Sequence, residues 1–122
     1  MSTDTAVVLC AHGSRAAGTA EAQAAVCGEL ATEIGVPVLA GFLEITAPDI
    51  PAAIDQAVRD GARRILLLPY FLHAGNHTTR DLPAIVDAAV LRHPGVEIAM
   101  TSLLGPDRRL VDICADRARA ML

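Results

Sequence analysis

The sequence predicts an α/β domain: a single doubly wound, four-stranded parallel sheet of order 2-1-3-4 with helices on both faces. Two observations predict it. Four short aliphatic runs, Ala6–Ala11, Val36–Leu43, Ile65–Leu72 and Val96–Leu104, lack a clean two-residue alternation, as strands covered on both faces do. Between and after them lie segments of helical period, so strand-to-strand spacing is about thirty residues, normal for parallel units joined by right-handed crossovers. A chain of 122 residues fits one domain spanning residues 1–122 and buries about two-thirds of its unfolded surface.

The elements follow in order. The first strand ends at Ala11, and a first helix carries Ala20, Ala24, Cys27, Ala31 and Ile34 on one face before Gly35 stops it. After the second strand, Ile50, Ile54, Ala57 and Val58 mark a second helix ending near Gly61. After the third strand, Leu82, Ile85, Val86, Ala89 and Val90 mark a third, closed by Pro94-Gly95. Asp107, after Gly105-Pro106, starts a last helix whose stripe is Leu110, Ile113, Cys114, Ala118 and Met121. Segments 49–58 and 81–90 share six of ten residues. The shared Asp-x-Pro start is read as one way of opening a helix twice: aspartate accepts free amides and proline sits in the first turn, where no donor is missed. The predicted order sets strands one and three side by side, where the helices that follow leave on opposite faces and open a crevice at the carboxyl ends.

Composition narrows the function. Hydrophobic residues make up 52 % of the chain but aromatics only 2 %, so the core is aliphatic. All ten basic residues are arginine, which excludes a lysine Schiff base and the phosphate-loop lysine. A net charge of −4 argues against nonspecific nucleic-acid binding. The amino end has no basic region and only a short apolar run, so neither a signal peptide nor a membrane span is expected, and the chain is placed in the cytoplasm. Cys10, Cys27 and Cys114 form no zinc spacing and are read as buried thiols in a reducing compartment; an iron–sulfur site shared between subunits is the alternative.

The chemistry gathers at strand ends. His12, in Leu9-Cys10-Ala11-His12-Gly13-Ser14-Arg15, stands at the carboxyl end of strand one; Gly13 permits a tight turn and Ser14 can cap the helix. His77 lies in the loop after strand three. Adjacent strands are about 4.8 Å apart, so that loop can carry His77 across the crevice to His12, a pairing hard to explain by packing. Glu44, at the end of strand two, shares the rim and suits metal coordination or proton transfer; a solvated loop glutamate is the alternative. His73 is read as a lining residue, with a third metal ligand as the alternative. His93 is assigned to the surface, near a helix end and its dipole. Ser14, Arg15 and Arg80 lie near helix amino ends, where free amides and guanidinium groups bind carboxylates; solvated charges are the alternative for the arginines.

In chain order, His-Gly-Ser-Arg, then Gly-Phe-Leu-Glu, then Pro-Tyr-Phe-Leu-His-Ala-Gly-Asn-His-Thr-Thr-Arg-Asp-Leu-Pro, then Leu-Leu-Gly-Pro-Asp resemble the small CbiX/SirB-type sirohydrochlorin chelatases of class II, over nearly the whole chain. The resemblance implies a chelatase-like fold and an ATP-independent enzyme of cobalamin or siroheme synthesis that inserts cobalt or iron into sirohydrochlorin. It carries the family's two metal-binding, catalytic histidines onto His12 and His77, and its strand-two glutamate onto Glu44. Short chains are similar to members that form homodimers. Asn76, where relatives often carry Gly or Arg, and the extra imidazole of His73 depart from the pattern.

Insertion needs a divalent ion delivered to the ring nitrogens and a base for the pyrrole protons; neutral imidazole does both. On this reading His12 and His77 hold the ion, Glu44 relays protons or helps load the metal, and Ser14, Arg15, Arg80 and His73 face the macrocycle's acid side chains. The metal, Co2+ or Fe2+, is a substrate, and no tightly bound cofactor is expected. A nickel-inserting chelatase and a non-enzymatic metal or tetrapyrrole carrier are the alternatives. A hydrolase lacks its signatures, since neither Gly-x-Ser-x-Gly nor a phosphate loop occurs.

Overall fold

The computed structural model describes residues 4–122. Four strands, β1 (Thr5–Ala11), β2 (Val38–Phe42), β3 (Arg64–Pro69) and β4 (Glu97–Met100), alternate with helices α1 (Thr19–Ile34), α2 (Ile50–Arg59), α3 (Leu82–Arg92) and α4 (Arg108–Arg119). The sheet is parallel, in the order β2-β1-β3-β4. β1 is central, with Val8 opposite both Leu39 and Leu67. β3 and β4 are shorter than the apolar runs suggest: beyond Pro69 and Met100 the chain leaves the ladder to build the crevice loops.

Handedness sorts the helices. β1 to β2 steps one way across the sheet, whereas β2 to β3 and β3 to β4 step the other way, so right-handed crossovers put α1 on one face and α2 with α3 on the other. Side chains alternate accordingly. Ala6, Val8 and Cys10 of β1 join Ile65, Leu67 and Ile98 in one apolar cluster with Ile50, Ile54, Leu82 and Ala89 of α2 and α3. Val7 and Leu9 point to the opposite face and are also buried.

α1 buries Cys27 of its predicted stripe but not the alanines at its start. Gln23 and Cys27 are buried, whereas Ala20 and Ala24 are exposed; alanine is small enough for either environment and is a poor guide to facing. The Nε2 of Gln23 is buried without a hydrogen-bond partner among the described residues.

α4 departs further from expectation. It begins as predicted, with Asp107 accepting from the Arg109 amide at 2.9 Å. Yet none of its residues is buried, and Val111, Ile113 and Cys114 are exposed. Opposite the apolar cluster, Leu66 and Leu68 of β3 and Ala99 of β4 are only partly covered. Cys10 and Cys27 are buried, and burial pushes the Cys10 thiol up to about 12; Cys114 is not the buried thiol that was expected.

Candidate functional site

The site stands where β1, β2 and β3 end. The β1–β2 ladder continues past the strands: Leu43 N–H donates to Ala11 O at 2.9 Å and Glu44 N–H to His12 O at 3.1 Å. That register sets Glu44 beside His12, and the His12 Nε2 to Glu44 Oε1 distance is 3.0 Å. Gly13 makes the approach feasible. Its φ is +102°, and a Cβ there would run into the Glu44 carbonyl.

On the β3 side, Tyr70 N–H still donates to Cys10 O at 2.8 Å. The following loop closes on itself: Thr78 and Thr79 amides donate to Gly75 O, and Gly75 N–H donates to the Thr78 hydroxyl oxygen. The chain then makes a π-helical turn, His77–Asp81, before entering α3. This turn brings His77 over His12, with ring centroids 4.7 Å apart and ring planes at 67°. Phe71 stacks on His77 at 6.3 Å. Both imidazoles stay open to solvent, with side chains 46 % and 42 % exposed, so a flat ligand can reach them.

The two rings are held by opposite nitrogens. His12 meets Glu44 through Nε2, whereas His77 meets Asp81 Oδ2 through Nδ1 at 3.0 Å. The Arg80 Nε donates to the other Asp81 oxygen at 3.1 Å. Arg80 first, and then the hydrogen bond with His77, hold the Asp81 carboxyl below the ordinary carboxylate range. No group of three or more His, Cys, Asp or Glu side chains among the described residues is arranged to hold a metal. A pair of imidazoles with one neighbouring carboxylate is what the crevice offers.

The remaining sequence-predicted residues divide. Ser14 does not cap α1, which begins five residues later at Thr19 behind Gly18; its hydroxyl accepts from Ala16 N–H, and its own amide donates to Thr46 Oγ1, tying the β1 loop to the β2 loop. Arg15 is exposed on that loop. Arg80 is exposed but engaged by Asp81. His73 turns to a groove of about 620 Å³ that it lines with Leu72, Leu103, Pro106, Leu110 and Val111. His93 stands at the carboxyl end of α3 as expected but is not a free surface group: its side chain is 18 % exposed and its Nε2 lies 2.6 Å from Asp55 Oδ1, bridging α3 to α2.

Asp81 is the residue that sequence reading missed. The echo between segments 49–58 and 81–90 holds at Asp49, which accepts from Ala52 N–H at 2.8 Å. It fails at Asp81, which makes no capping bond and turns its carboxylate to His77 and Arg80 instead. The spacing of four from His77 was the available signal.

Comparison with known proteins identifies the family. The CbiX family model matches residues 6–121. A sirohydrochlorin cobaltochelatase of Methanococcus aeolicus is 32 % identical, over 93 % of this chain and 97 % of its own length. A sirohydrochlorin ferrochelatase of Priestia megaterium is 31 % identical over 92 % of this chain, but this chain covers only 42 % of it. The sirohydrochlorin chelatase SirB of Bacillus subtilis subspecies spizizenii, solved in complex with cobalt, superposes with a TM-score of 0.89 at 26 % identity, over 97 % of this chain and 51 % of SirB. The chain thus spans about half of SirB and nearly all of the Methanococcus enzyme. With the family model covering almost every residue, this chain is a member of the CbiX family.

Proposed function

We propose that this chain is a sirohydrochlorin chelatase that inserts a divalent metal, cobalt or iron, into the macrocycle without ATP. The observation that carries the reading is the His12–His77 pair: two imidazoles from two sheet-end loops, 4.7 Å apart, open to solvent and flanked by Glu44. The names of the relatives support it from the other side, since they include both cobalt- and iron-inserting chelatases acting on sirohydrochlorin.

The reaction exchanges two pyrrole N–H protons for one M2+ ion. Two protein nitrogens suffice to deliver the ion while leaving its other positions open to the ring nitrogens. His77 supplies a metal ligand through Nε2. His12, hydrogen-bonded to Glu44 through Nε2, offers the ion its Nδ1 lone pair; once the ion has passed to the ring, the same nitrogen accepts the two pyrrole protons in turn, and each is relayed through the Nε2–H and Glu44 to solvent. The macrocycle's carboxylates meet Arg15, the Ser14 turn and Arg80 around the rim, with His73 at the edge of the neighbouring apolar groove. Nitrogen and oxygen donors suit cobalt and iron alike.

The proposal includes a second copy of the chain. One lobe, residues 1–122, leaves α4 with an unpacked apolar stripe, and it leaves Leu66, Leu68 and Ala99 short of the helix cover that a doubly wound sheet needs on both faces. A face and a helix that need covering, carried by one chain, suit a two-fold exchange of helices between copies. The 51 % coverage of SirB supports the same view, since the longer chain has room for two such lobes. The setting is cytoplasmic, in keeping with three free cysteines. Among the described residues no helix is long and apolar enough to cross a membrane.

The test is anaerobic mixing of the protein with sirohydrochlorin and Co2+ or Fe2+, followed by absorption spectroscopy. Acceleration over the protein-free reaction is expected. Stoichiometric metal binding with no acceleration would make the chain a carrier and end the chelatase reading.

A further inference from the structure

We infer that Asp81 is a positioning residue: it holds the proton of neutral His77 on Nδ1, so that the lone pair on Nε2 is the one offered to the incoming metal ion. This rests on the reading of His77 as a metal ligand.

A neutral imidazole carries one N–H and one lone pair, and only the lone pair binds a metal. Which nitrogen carries the proton is decided by the partner of the other. At His77 a carboxylate oxygen lies 3.0 Å from Nδ1. An ionised carboxylate only accepts, so the bond requires N–H at Nδ1 and leaves the lone pair on Nε2. Among the described residues the His77 ring makes no other hydrogen bond, so nothing competes for Nε2.

The surroundings fix this choice. Arg80 Nε holds Oδ1 of the same carboxylate, leaving Oδ2 for the ring. Phe71 stacks along one side of the imidazole, and His12 approaches at 67° to its plane. The π-helical turn His77–Asp81 places the donor and acceptor four residues apart across one widened turn.

The contrast with Asp49 shows that Asp81 is diverted from the ordinary work of its motif. Both aspartates open an Asp-x-Pro-Ala segment. Asp49 accepts from an amide of its helix, as such residues do. Asp81 makes no such bond, because the π-helical turn runs straight into α3 and the Leu82 N–H already donates to His77 O. Asp81 itself lies in helical backbone, so its carboxylate has no helix amide to cap and is free to meet the histidine. The missing cap also means that removing the carboxylate takes no capping bond from α3.

The test uses the whole metal-free chain and needs no macrocycle. Long-range 15N–1H NMR of the His77 ring reads the tautomer directly, and titration with Co2+ alone, followed by its visible absorption, reads the affinity. In the wild type, neutral His77 carries its proton on Nδ1. Asp81→Ala shifts the population toward Nε2–H and weakens Co2+ binding by roughly 10–100-fold. Asp81→Asn, whose single oxygen faces Arg80 and whose NH2 turns toward Nδ1, moves the proton to Nε2 and weakens Co2+ binding as Asp81→Ala does. A wild-type His77 protonated on Nε2 overturns the inference. So does an Asp81→Ala variant with unchanged tautomer and affinity. Should Asp81→Ala fail to fold, as judged by circular dichroism, the wild-type tautomer and the Asp81→Asn titration still decide. Wild-type protein that shows the Nδ1–H tautomer and binds Co2+ but never accelerates insertion would sink the chelatase reading and leave this one standing.

Discussion

Gly13 joins backbone geometry to chemistry closely enough that one methyl group separates their contributions. At φ +102° an L-residue is strained, and alanine there costs roughly 1–3 kcal/mol. The added Cβ also runs into the Glu44 carbonyl, which is backbone and cannot swing aside. Relief requires the β1 and β2 loops to part, at the expense of the 3.1 Å Glu44 N–H to His12 O bond, worth about 0.5–1.5 kcal/mol. Gly13→Ala is therefore expected to lose about 2–4 kcal/mol, a large share of a typical 5–15 kcal/mol stability but not all of it. The same parting opens the 3.0 Å His12–Glu44 contact, and a displacement of about 1 Å at reacting groups costs on the order of 100-fold in rate. Gly18→Ala is the control. Its φ of +86° is also left-handed, but nothing lies within 4 Å of the added Cβ, so it shares the strain without the collision. Urea unfolding at one fixed protein concentration and metal-insertion rates read the two effects. Gly13→Ala should fall in both, and Gly18→Ala mainly in stability. A Gly13→Ala protein as stable and as active as the wild type would refute the reasoning that the loop approach sets the site.

Two further outcomes follow from the fold. If α4 docks on a second copy, Cys114 should be protected from a thiol reagent at high protein concentration and labelled on dilution, while Cys10 and Cys27 stay unreactive in both; Ile113→Asp should yield a monomer by sedimentation, and a dimer unaffected by that change would exclude α4 from the interface. The Asp55 carboxyl is held below its ordinary range, first by its hydrogen bond with His93 and then by Arg92. A carboxyl with a lowered folded pKa adds stability above its unfolded pKa of about 4, and that stability disappears as pH falls through the lower folded value. The unfolding free energies of wild type and Asp55→Asn should therefore differ at neutral pH and converge on acidification, and a difference that persists at low pH would contradict this.

Much of the architecture was legible because it follows from a few hard rules. Thirty-residue spacing points to a doubly wound parallel sheet, and its 2-1-3-4 order sets the loops carrying His12 and His77 at one crevice; the π-helical turn that closes the remaining distance was not legible. Glu44 was legible for the same reason, as the residue two past the end of β2. The failures have physical causes too. Ala20 and Ala24 read as an inward face, but alanine carries too little apolar surface to decide; Cys27 of the same stripe is buried as expected, and Gln23, outside the stripe, is buried with it. The stripe on α4 is genuine, but periodicity does not say whose surface it covers. His93 looked like a surface group because its partner, Asp55, lies 38 positions away. Asp81 was hidden by its own motif: beside Pro83 it reads as a helix cap, and only the coordinates show its carboxylate turned to a histidine.

The central claim is that His12 and His77 act together on the metal, and it is tested most directly by anaerobic insertion rates for wild type, His12→Ala and His77→Ala with Co2+ and sirohydrochlorin. Each substitution is expected to lower the rate by roughly 100-fold or more with the fold intact. A His77→Ala protein that inserts metal at the wild-type rate would contradict the account.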